Sequence, residues 1–231
     1  MITNARRWKS GELSRKRLLE LIASVRDEGK RARLVEAVDE IEDYERDFVV
    51  VEGDLHVSGD LDPAAAGAYL LVVTDDLTVD GCYSDSDDPE TFLLVGGDLR
   101  ARDVVTAGWL EITGDLRANR VIGDYNDCGA DIGGSVHCAL FYGEEHHFTI
   151  GGELAAEVVV GRPRLAIGNA PEYLELDDSR LLEHLDRSVL RVLDDEADDG
   201  TPLLLVDGIG DFRALKQRVG AGLPIGPERP R

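Results

Sequence analysis

The chain has 231 residues with 47 acidic and 25 basic side chains, so its formal net charge is −22. Apolar residues make up 43% of it, which is enough for a hydrophobic core and excludes global disorder. The charge argues against direct binding to nucleic acid or to anionic membranes, because both affinities come from Lys and Arg. It favours a basic protein partner instead.

Residues 1–47 form a basic segment followed by a predicted helical cap. The first residues are basic, but no apolar run follows them, so we expect no secretory signal. Residues 12–45 predict two helices, because apolar residues recur on one face of each. These residues are Leu18, Leu21, Ile22 and Val25 in the first helix, and Leu34, Val38 and Ile41 in the second.

Two further features bear on the compartment. No apolar stretch approaches the roughly 18 residues that a transmembrane helix needs. Cys82, Cys128 and Cys138 are odd in number and scattered, which does not suggest a disulfide framework. We therefore expect a cytoplasmic protein.

A short phrase recurs six times along the middle of the chain: VVVEGDLHV, LVVTDDLTV, LLVGGDLRA, LEITGDLRA, ADIGGSVHC and FTIGGELAA. We align the copies on the residue after the turn. The anchors are Asp54, Asp76, Asp98, Asp115, Ser135 and Glu153, at intervals of 22, 22, 17, 20 and 18 residues. A faded seventh copy, LAIGNA, places Ala170 in the same position.

The hydrophobic pattern around each anchor has the period of a strand. Apolar residues stand five and three positions before the anchor and one and three after it, and in every copy except the first a second apolar pair falls six and seven after it. A Gly usually precedes the anchor and marks a bend between two strands. Two or three short strands in about 20 residues are typical of one coil of a parallel β-solenoid. A β-sandwich of unrelated hairpins is the alternative.

The predicted fold class is therefore mainly β: a single-stranded parallel β-helix of about six to seven coils over 48–170, with α-helical N- and C-terminal caps. The C-terminal cap and tail occupy 171–231. Within this region the pattern predicts a helix over 178–193, a solvated linker over 194–200, a strand over 203–206 and a helix over 211–219.

An apolar stripe is predicted on the outward side of the first coils. Phe48, Leu70, Phe92 and Trp109 stand six residues before successive anchors, on the face opposite the core. Such a stripe needs a cover. The N-terminal helices, the C-terminal helix or a partner protein could each supply it.

Two clusters are candidates for chemistry. Cys128 and His146 share a register position, and His147 follows, so these three residues are weak metal candidates beside Glu144 and Glu145. The anchor column of Asp54, Asp76, Asp98 and Asp115 either bonds its own turn amides or binds a cation. No nucleophile elbow, Walker loop, HExxH or GxGxxG pattern is present, so we expect neither an enzyme nor a cofactor.

The phrases VVVEGDLHVSGDL and LLVGGDLRARDVV resemble those of bactofilins, the bacterial polymer-forming cytoskeletal solenoids. The stretch 123–160 looks closer to a set of bacterial solenoid proteins with helical ends. The resemblance covers about residues 48–170 and implies a solenoid that polymerises end to end. The predicted helices at both ends depart from bactofilins and put a filament in doubt.

Three functions follow as hypotheses. Residues 48–170 contain 22 acidic and 6 basic residues, so the first is a non-catalytic module that binds a basic protein, such as an immunity-type protein or a DNA mimic. Its candidate interaction residues are the apolar stripe, the four anchor aspartates, and Glu144 and Glu145. The second is a bactofilin-like scaffold and hence a homo-oligomer, and the third is a solenoid enzyme with a deep cleft of converging carboxylates or histidines.

Overall fold

The repeated phrases stack into two parallel sheets, which confirms the mainly β solenoid. The computed structural model describes residues 6–8, 15–23, 28–39, 48–85, 90–124, 128–143, 146–160, 164–166, 173, 179–196, 202–210 and 212–227.

The first sheet takes the strand before each anchor. Its order is β1-β2-β4-β6-β8-β11-β13-β15. The strands are β1 (Arg6–Trp8), β2 (Phe48–Val51), β4 (Leu70–Val73), β6 (Phe92–Val95), β8 (Trp109–Ile112), β11 (Gly129–Ile132), β13 (His147–Ile150) and β15 (Arg164–Ala166). All pairings are parallel except that of β1, which runs antiparallel to β2.

The second sheet takes the residues after each anchor. Its strands are β3 (Leu55–Val57), β5 (Leu77–Ser84), β7 (Leu99–Thr106), β9 (Leu116–Arg117), β10 (Arg120–Gly123), β12 (Val136–Tyr142) and β14 (Leu154–Val160). Every pair in this sheet is parallel. The register keeps the predicted columns: Leu77 pairs with Leu99, and Leu99 with Leu116.

The core lies between the two sheets and contains the alternating residues that the columns predict. Leu71, Val95 and Ile112 are buried in it, together with Leu77 and Leu116. Phe141 and Phe148 close its far part with an edge contact between rings at 4.8 Å. Each coil therefore contributes a few apolar side chains to one continuous core, which no single coil could form alone.

The chain makes about five turns, rather than the six to seven coils expected. Strands β2, β4, β6, β8, β11 and β13 stack in succession, and the described residues of the faded seventh copy belong to β15. Residues 167–170, which include the rest of that copy, lie outside the described residues.

The N-terminal helices cover a side of the solenoid. Helices α1 (Arg15–Ile22) and α2 (Glu28–Asp39) bury Leu18, Ile22 and Leu34 against the outward side of the first sheet. The edge of that sheet is paired instead by β1. The predicted α-helical caps are thus not confirmed: these two helices shield an apolar face, and a short strand protects the edge.

The C-terminal region covers the outward side of the second sheet. It consists of the 3₁₀ helices Ser179–Glu183 and Arg187–Val189, the hairpin of β16 (Leu190–Glu196) and β17 (Pro202–Ile209), and α3 (Phe212–Gly220). Leu181, Leu215 and Ile225 pack there against Val105 and Leu140 of the solenoid.

The helix predicted over 178–193 is wrong. Asp186 accepts a hydrogen bond from the backbone N–H of Ser188 at 2.9 Å and starts a second short 3₁₀ helix, and the chain then enters β16. The strand over 203–206 lies within β17, and the helix over 211–219 corresponds to α3.

Candidate functional site

The anchor column forms a ladder of hydrogen bonds from coil to coil. Oδ1 of each aspartate accepts the backbone N–H of the next anchor. The donor–acceptor distances are 3.1 Å from Asp76 to Asp54, 2.8 Å from Asp98 to Asp76, 2.9 Å from Asp115 to Asp98 and 2.8 Å from Ser135 to Asp115. Ser135 continues the ladder, because its Oγ accepts the N–H of Glu153 at 3.0 Å. We call Asp54, Asp76, Asp98 and Asp115 the acidic ridge.

The ladder explains the glycine that precedes most anchors. A Cβ on Gly114 would lie 2.3 Å from Oδ1 of Asp98, and one on Gly134 would lie 2.3 Å from Oδ1 of Asp115. The glycine therefore makes room for the carboxylate of the preceding coil. Hydrogen bonds to the amides of its own turn were one of the two roles predicted for each aspartate, whereas it accepts a hydrogen bond from the turn stacked on it.

The charge of the ridge is uneven along its length. Arg117 Nη2 lies 2.6 Å from Asp115 Oδ2, and Arg100 Nη2 lies 3.5 Å from Asp98 Oδ2. The Ser135 backbone N–H, followed by Arg117 and His137, holds the pKa of Asp115 below its usual value.

The other end of the ridge lacks such partners. Asp54, Asp75 and Asp76 are exposed, and no ion pair joins them to a basic side chain within the described part of the chain. The first two coils therefore present the more negative end of the ridge.

Arg120 forms a buried ion pair within the second sheet and also joins the C-terminal region to that sheet. Arg120 Nη1 lies 2.9 Å from Asp103 Oδ1, and both side chains are almost fully buried. Arg120 also donates from Nε to the carbonyl oxygen of His184 at 2.8 Å and from Nη2 to that of Pro227. Nothing in the repeat pattern predicted this pair.

A cleft of about 420 Å³ lies beside this ion pair, between the second sheet and the C-terminal segment. Its lining residues are Thr78, Val79, Asp80, Arg100, Ala101, Arg102, Asp103, Asn119, Arg120, Pro224 and Gly226. Three of them are arginines from neighbouring strands, so the cleft differs in charge from the chain as a whole.

The weak metal candidates do not converge. His146 is fully buried, and its Nδ1–H donates to the carbonyl oxygen of Asp124 at 2.9 Å, whereas the next residue, His147, is exposed. Cys128 is buried as well. Because Gly129 pairs with His147, the preceding residues Cys128 and His146 share a register position, as predicted. Among the described residues no group of three or more His, Cys, Asp or Glu is placed to hold a metal ion. Glu144 and Glu145 lie outside the described residues.

The other two cysteines are inert thiols. Burial raises the pKa of Cys138 to about 12, and Glu157 adds to the shift. Burial likewise raises the pKa of Cys82 well above its usual value, with Asp103 adding to the shift. Thiols of this kind are poor nucleophiles and poor metal ligands at neutral pH.

The predicted apolar stripe is covered by the chain itself. Phe48, Leu70 and Phe92 are buried in one cluster with α1 and α2, and Trp109 is half-buried at its margin. The Phe92 and Trp109 rings stack 5.8 Å apart. Of the three covers considered, the structure shows the N-terminal helices.

Comparisons with protein-family models, with curated proteins and with solved structures find no match to this chain. The resemblance to bactofilins therefore rests on the repeated phrases alone. No helix in the described ranges has both the length and the apolar character that a bilayer crossing requires.

Proposed function

We propose that this chain is a non-catalytic module that binds a basic protein through the open end of its acidic ridge. The observation that carries the proposal is the ladder itself, because it holds the carboxylates of Asp54 and Asp76 in fixed positions at the protein surface. Asp75 stands between them in sequence and is exposed as well.

Rigid carboxylates suit a binding role. Successive coils place them about 4.8 Å apart, which is the spacing of neighbouring strands. Side chains that are already fixed lose little conformational entropy when a partner binds, so more of the interaction energy appears as affinity. A negative edge of this kind also attracts a basic partner at a distance and raises its association rate.

The negative charge of the ridge specifies a basic protein as the partner but does not distinguish between kinds of basic protein. An immunity-type protein that neutralises a basic toxin and a DNA mimic that occupies a nucleic-acid enzyme would both use such an edge. The proposal does not include direct binding to nucleic acid or to a membrane. It does include a cytoplasmic location. In this proposal the terminal regions cover the outer faces of the two sheets, and the solenoid acts as a discrete module.

The test removes charge without breaking the ladder. In the triple variant Asp54→Asn, Asp75→Asn and Asp76→Asn, the amide oxygens still accept the stacked N–H groups while three negative charges are lost. The control variant Asp62→Asn, Glu157→Gln and Glu183→Gln loses the same charge at other exposed positions.

Affinity capture from native cells compares the two variants with the unchanged chain. We expect the unchanged chain and the control to retain the same basic protein, and the triple variant to lose it. Retention by the triple variant, or the absence of any basic protein from the unchanged chain, would refute the proposal.

A bactofilin-like scaffold is the second candidate, and one observation favours it. Strand β14 pairs only with β12 among the described strands and carries apolar residues at six of its seven positions, with Glu157 as the exception. An apolar strand edge of this kind can pair with a second copy of the chain.

Sedimentation over a range of protein concentrations separates the two candidates. Fibres that disappear in Ala155→Lys, which puts a charge on β14, would support the scaffold. A discrete species at every concentration would count against it.

A further inference from the structure

The cleft beside the Asp103–Arg120 ion pair has a composition that the acidic ridge does not explain. Its lining contains three arginines and two aspartates, so it has one more positive than negative side chain in a chain of net charge −22. Asp103 is already neutralised, because Arg120 Nη1 lies 2.9 Å from one of its oxygens and Arg102 Nε lies 3.0 Å from the other.

The Arg102 guanidinium has a hydrogen-bond partner at Nε, which is Asp103, but none at Nη2. Its Nη2 is buried and has no hydrogen-bond acceptor. The carboxylate oxygen of Asp60 lies 3.7 Å from it, which is an ion-pair distance but too long for a hydrogen bond. A buried donor without an acceptor is unfavourable. The Arg102 side chain as a whole is 29% exposed, so a small turn of its guanidinium toward the cleft would let a ligand oxygen accept from Nη2 and remove that penalty.

Arg100 adds a second guanidinium on the same sheet. Its side chain is 57% exposed, and its contact with Asp98 is a loose one of 3.5 Å. Guanidinium groups bind carboxylates and phosphates through paired, charge-assisted hydrogen bonds. Arg100 and Arg102 therefore form a binding surface for an oxyanion.

The remaining lining limits the size and polarity of the ligand. A volume of about 420 Å³ lies in the range of small-molecule sites and exceeds what a bare inorganic ion needs. Thr78, Asp80 and Asn119 supply oxygens and an amide that can bond hydroxyl groups. Pro224 and Gly226 of the C-terminal segment form the opposite wall.

We propose that this cleft binds a small polyhydroxylated oxyanion, of the sugar-phosphate or sugar-acid class, between Arg100 and Arg102 on the second sheet and the Pro224–Gly226 wall. Arg100 contacts Asp98 of the acidic ridge, but binding in the cleft does not depend on the function proposed for the open end of the ridge.

The test uses three probes on the full-length chain: glucose 6-phosphate, gluconate and glucose. Each is titrated at constant ionic strength, and binding is followed by amide chemical shifts. We expect at least one of the two anions to bind saturably with shifts at the cleft, and glucose to bind far more weakly. Comparison of the anions then shows whether the phosphate or the carboxylate is preferred.

Two variants and a control locate the binding. Arg102→Gln and Arg100→Gln should each raise the dissociation constant roughly tenfold, because each variant loses a hydrogen bond to a charged group. Arg117→Gln removes the same charge from the same column of the next coil but does not line the cleft, so it should leave the affinity unchanged. Because Arg100 is exposed, its variant should fold normally even if that of Arg102 does not.

Two results would overturn the proposal. One is the absence of saturable binding of both anions at concentrations on the order of 10 mM. The other is an equal loss of affinity in Arg100→Gln and Arg117→Gln, which would indicate a general effect of charge.

Discussion

At the scale of single residues, a recurring Gly–Asp pair marks each copy of the repeat, and the geometry of stacked coils explains why both residues are needed. The aspartate accepts a hydrogen bond from the following coil, and the glycine of that coil leaves room for the carboxylate. The recurrence of the pair is visible in the sequence. The bond between coils is not, because it joins residues about 20 positions apart.

The glycine requirement gives the first prediction. In Gly114→Ala the new Cβ would lie 2.3 Å from Asp98 Oδ1 and 2.7 Å from the carbonyl oxygen of Gly97. We expect a loss of about 1–3 kcal/mol in the free energy of unfolding, measured by chemical denaturation. Gly129→Ala is the control, because its Cβ would meet nothing closer than 3.6 Å. Equal stability of the two variants would contradict the steric argument.

A buried histidine gives a prediction on pH. Burial lowers the pKa of His146 to about 4, against an ordinary value of 6.5, although its hydrogen bond to Asp124 acts in the opposite direction. Between these two pH values His146 therefore binds a proton in the unfolded chain but not in the folded chain. Stability falls as the pH drops from 6.5 to about 4, by up to about 3 kcal/mol from this group.

His146→Asn tests this origin. The amide of Asn can still donate to the Asp124 carbonyl, but it does not titrate. Denaturation curves between pH 7 and pH 4 should show a flatter dependence of stability in the variant. An unchanged slope would assign the effect to other groups.

At the scale of elements, each strand before an anchor has its own environment on the outward side. Strands β2, β4 and β6 are apolar on both sides and lie under α1 and α2. Strands β8, β11 and β13 carry Glu111, Asp131 and Thr149 at the equivalent outward position and leave it only half-buried. The division is visible in the sequence four residues before each anchor, where Val50, Val72 and Leu94 are followed by Glu111, Asp131 and Thr149.

The second sheet was less predictable. From the second copy onward, the apolar pair after the anchor points to opposite sides of a strand, as Val104 and Val105 do. Such a pair indicates that the outward side is covered as well. The pattern does not say what covers it, because the contacts come from the C-terminal region, far along the chain.

The inward column gives the element-scale prediction. Ile112 is fully buried between Val95 and Ile132 of the neighbouring strands. Ile112→Asp places an unpaired carboxylate in that core and should cost more than about 4 kcal/mol, enough to unfold the chain. Circular dichroism and thermal melting measure the loss.

Thr149→Asp adds the same charge on an outward, half-buried position and serves as the control. We expect this variant to remain folded. A folded Ile112→Asp variant with the melting temperature of the control would contradict the assigned register.

At the scale of the whole molecule, the Arg120 side chain joins the solenoid to the C-terminal region. Arg120 bonds Asp103 within the second sheet and the carbonyl oxygens of His184 and Pro227 outside it. Removing Arg120 leaves the buried Asp103 with Arg102 as its partner, and it leaves both carbonyl oxygens without their donor. Arg120→Met should therefore cost about 3–5 kcal/mol and loosen the C-terminal region.

The double variant Asp103→Leu with Arg120→Met separates charge from packing. Because it removes both charges, it should recover part of the stability that Arg120→Met loses. Hydrogen exchange of residues 212–227 reports the loosening directly, and we expect faster exchange in the single variant. Equal exchange in the single variant and the unchanged chain would show that the ion pair does not hold this region.

The solenoid, its register, the inward columns and the position of the acidic ridge can all be inferred from the amino-acid sequence. All of these depend on local alternation repeated at a nearly constant interval, and a repeat of that kind can be read along the chain. The tertiary structure alone decided which segments cover the two outer faces, the stacking bonds of the ridge, the buried Asp103–Arg120 pair and the cleft beside it. These features arise from side chains that are brought together from distant positions with no period of their own, so no local pattern encodes them.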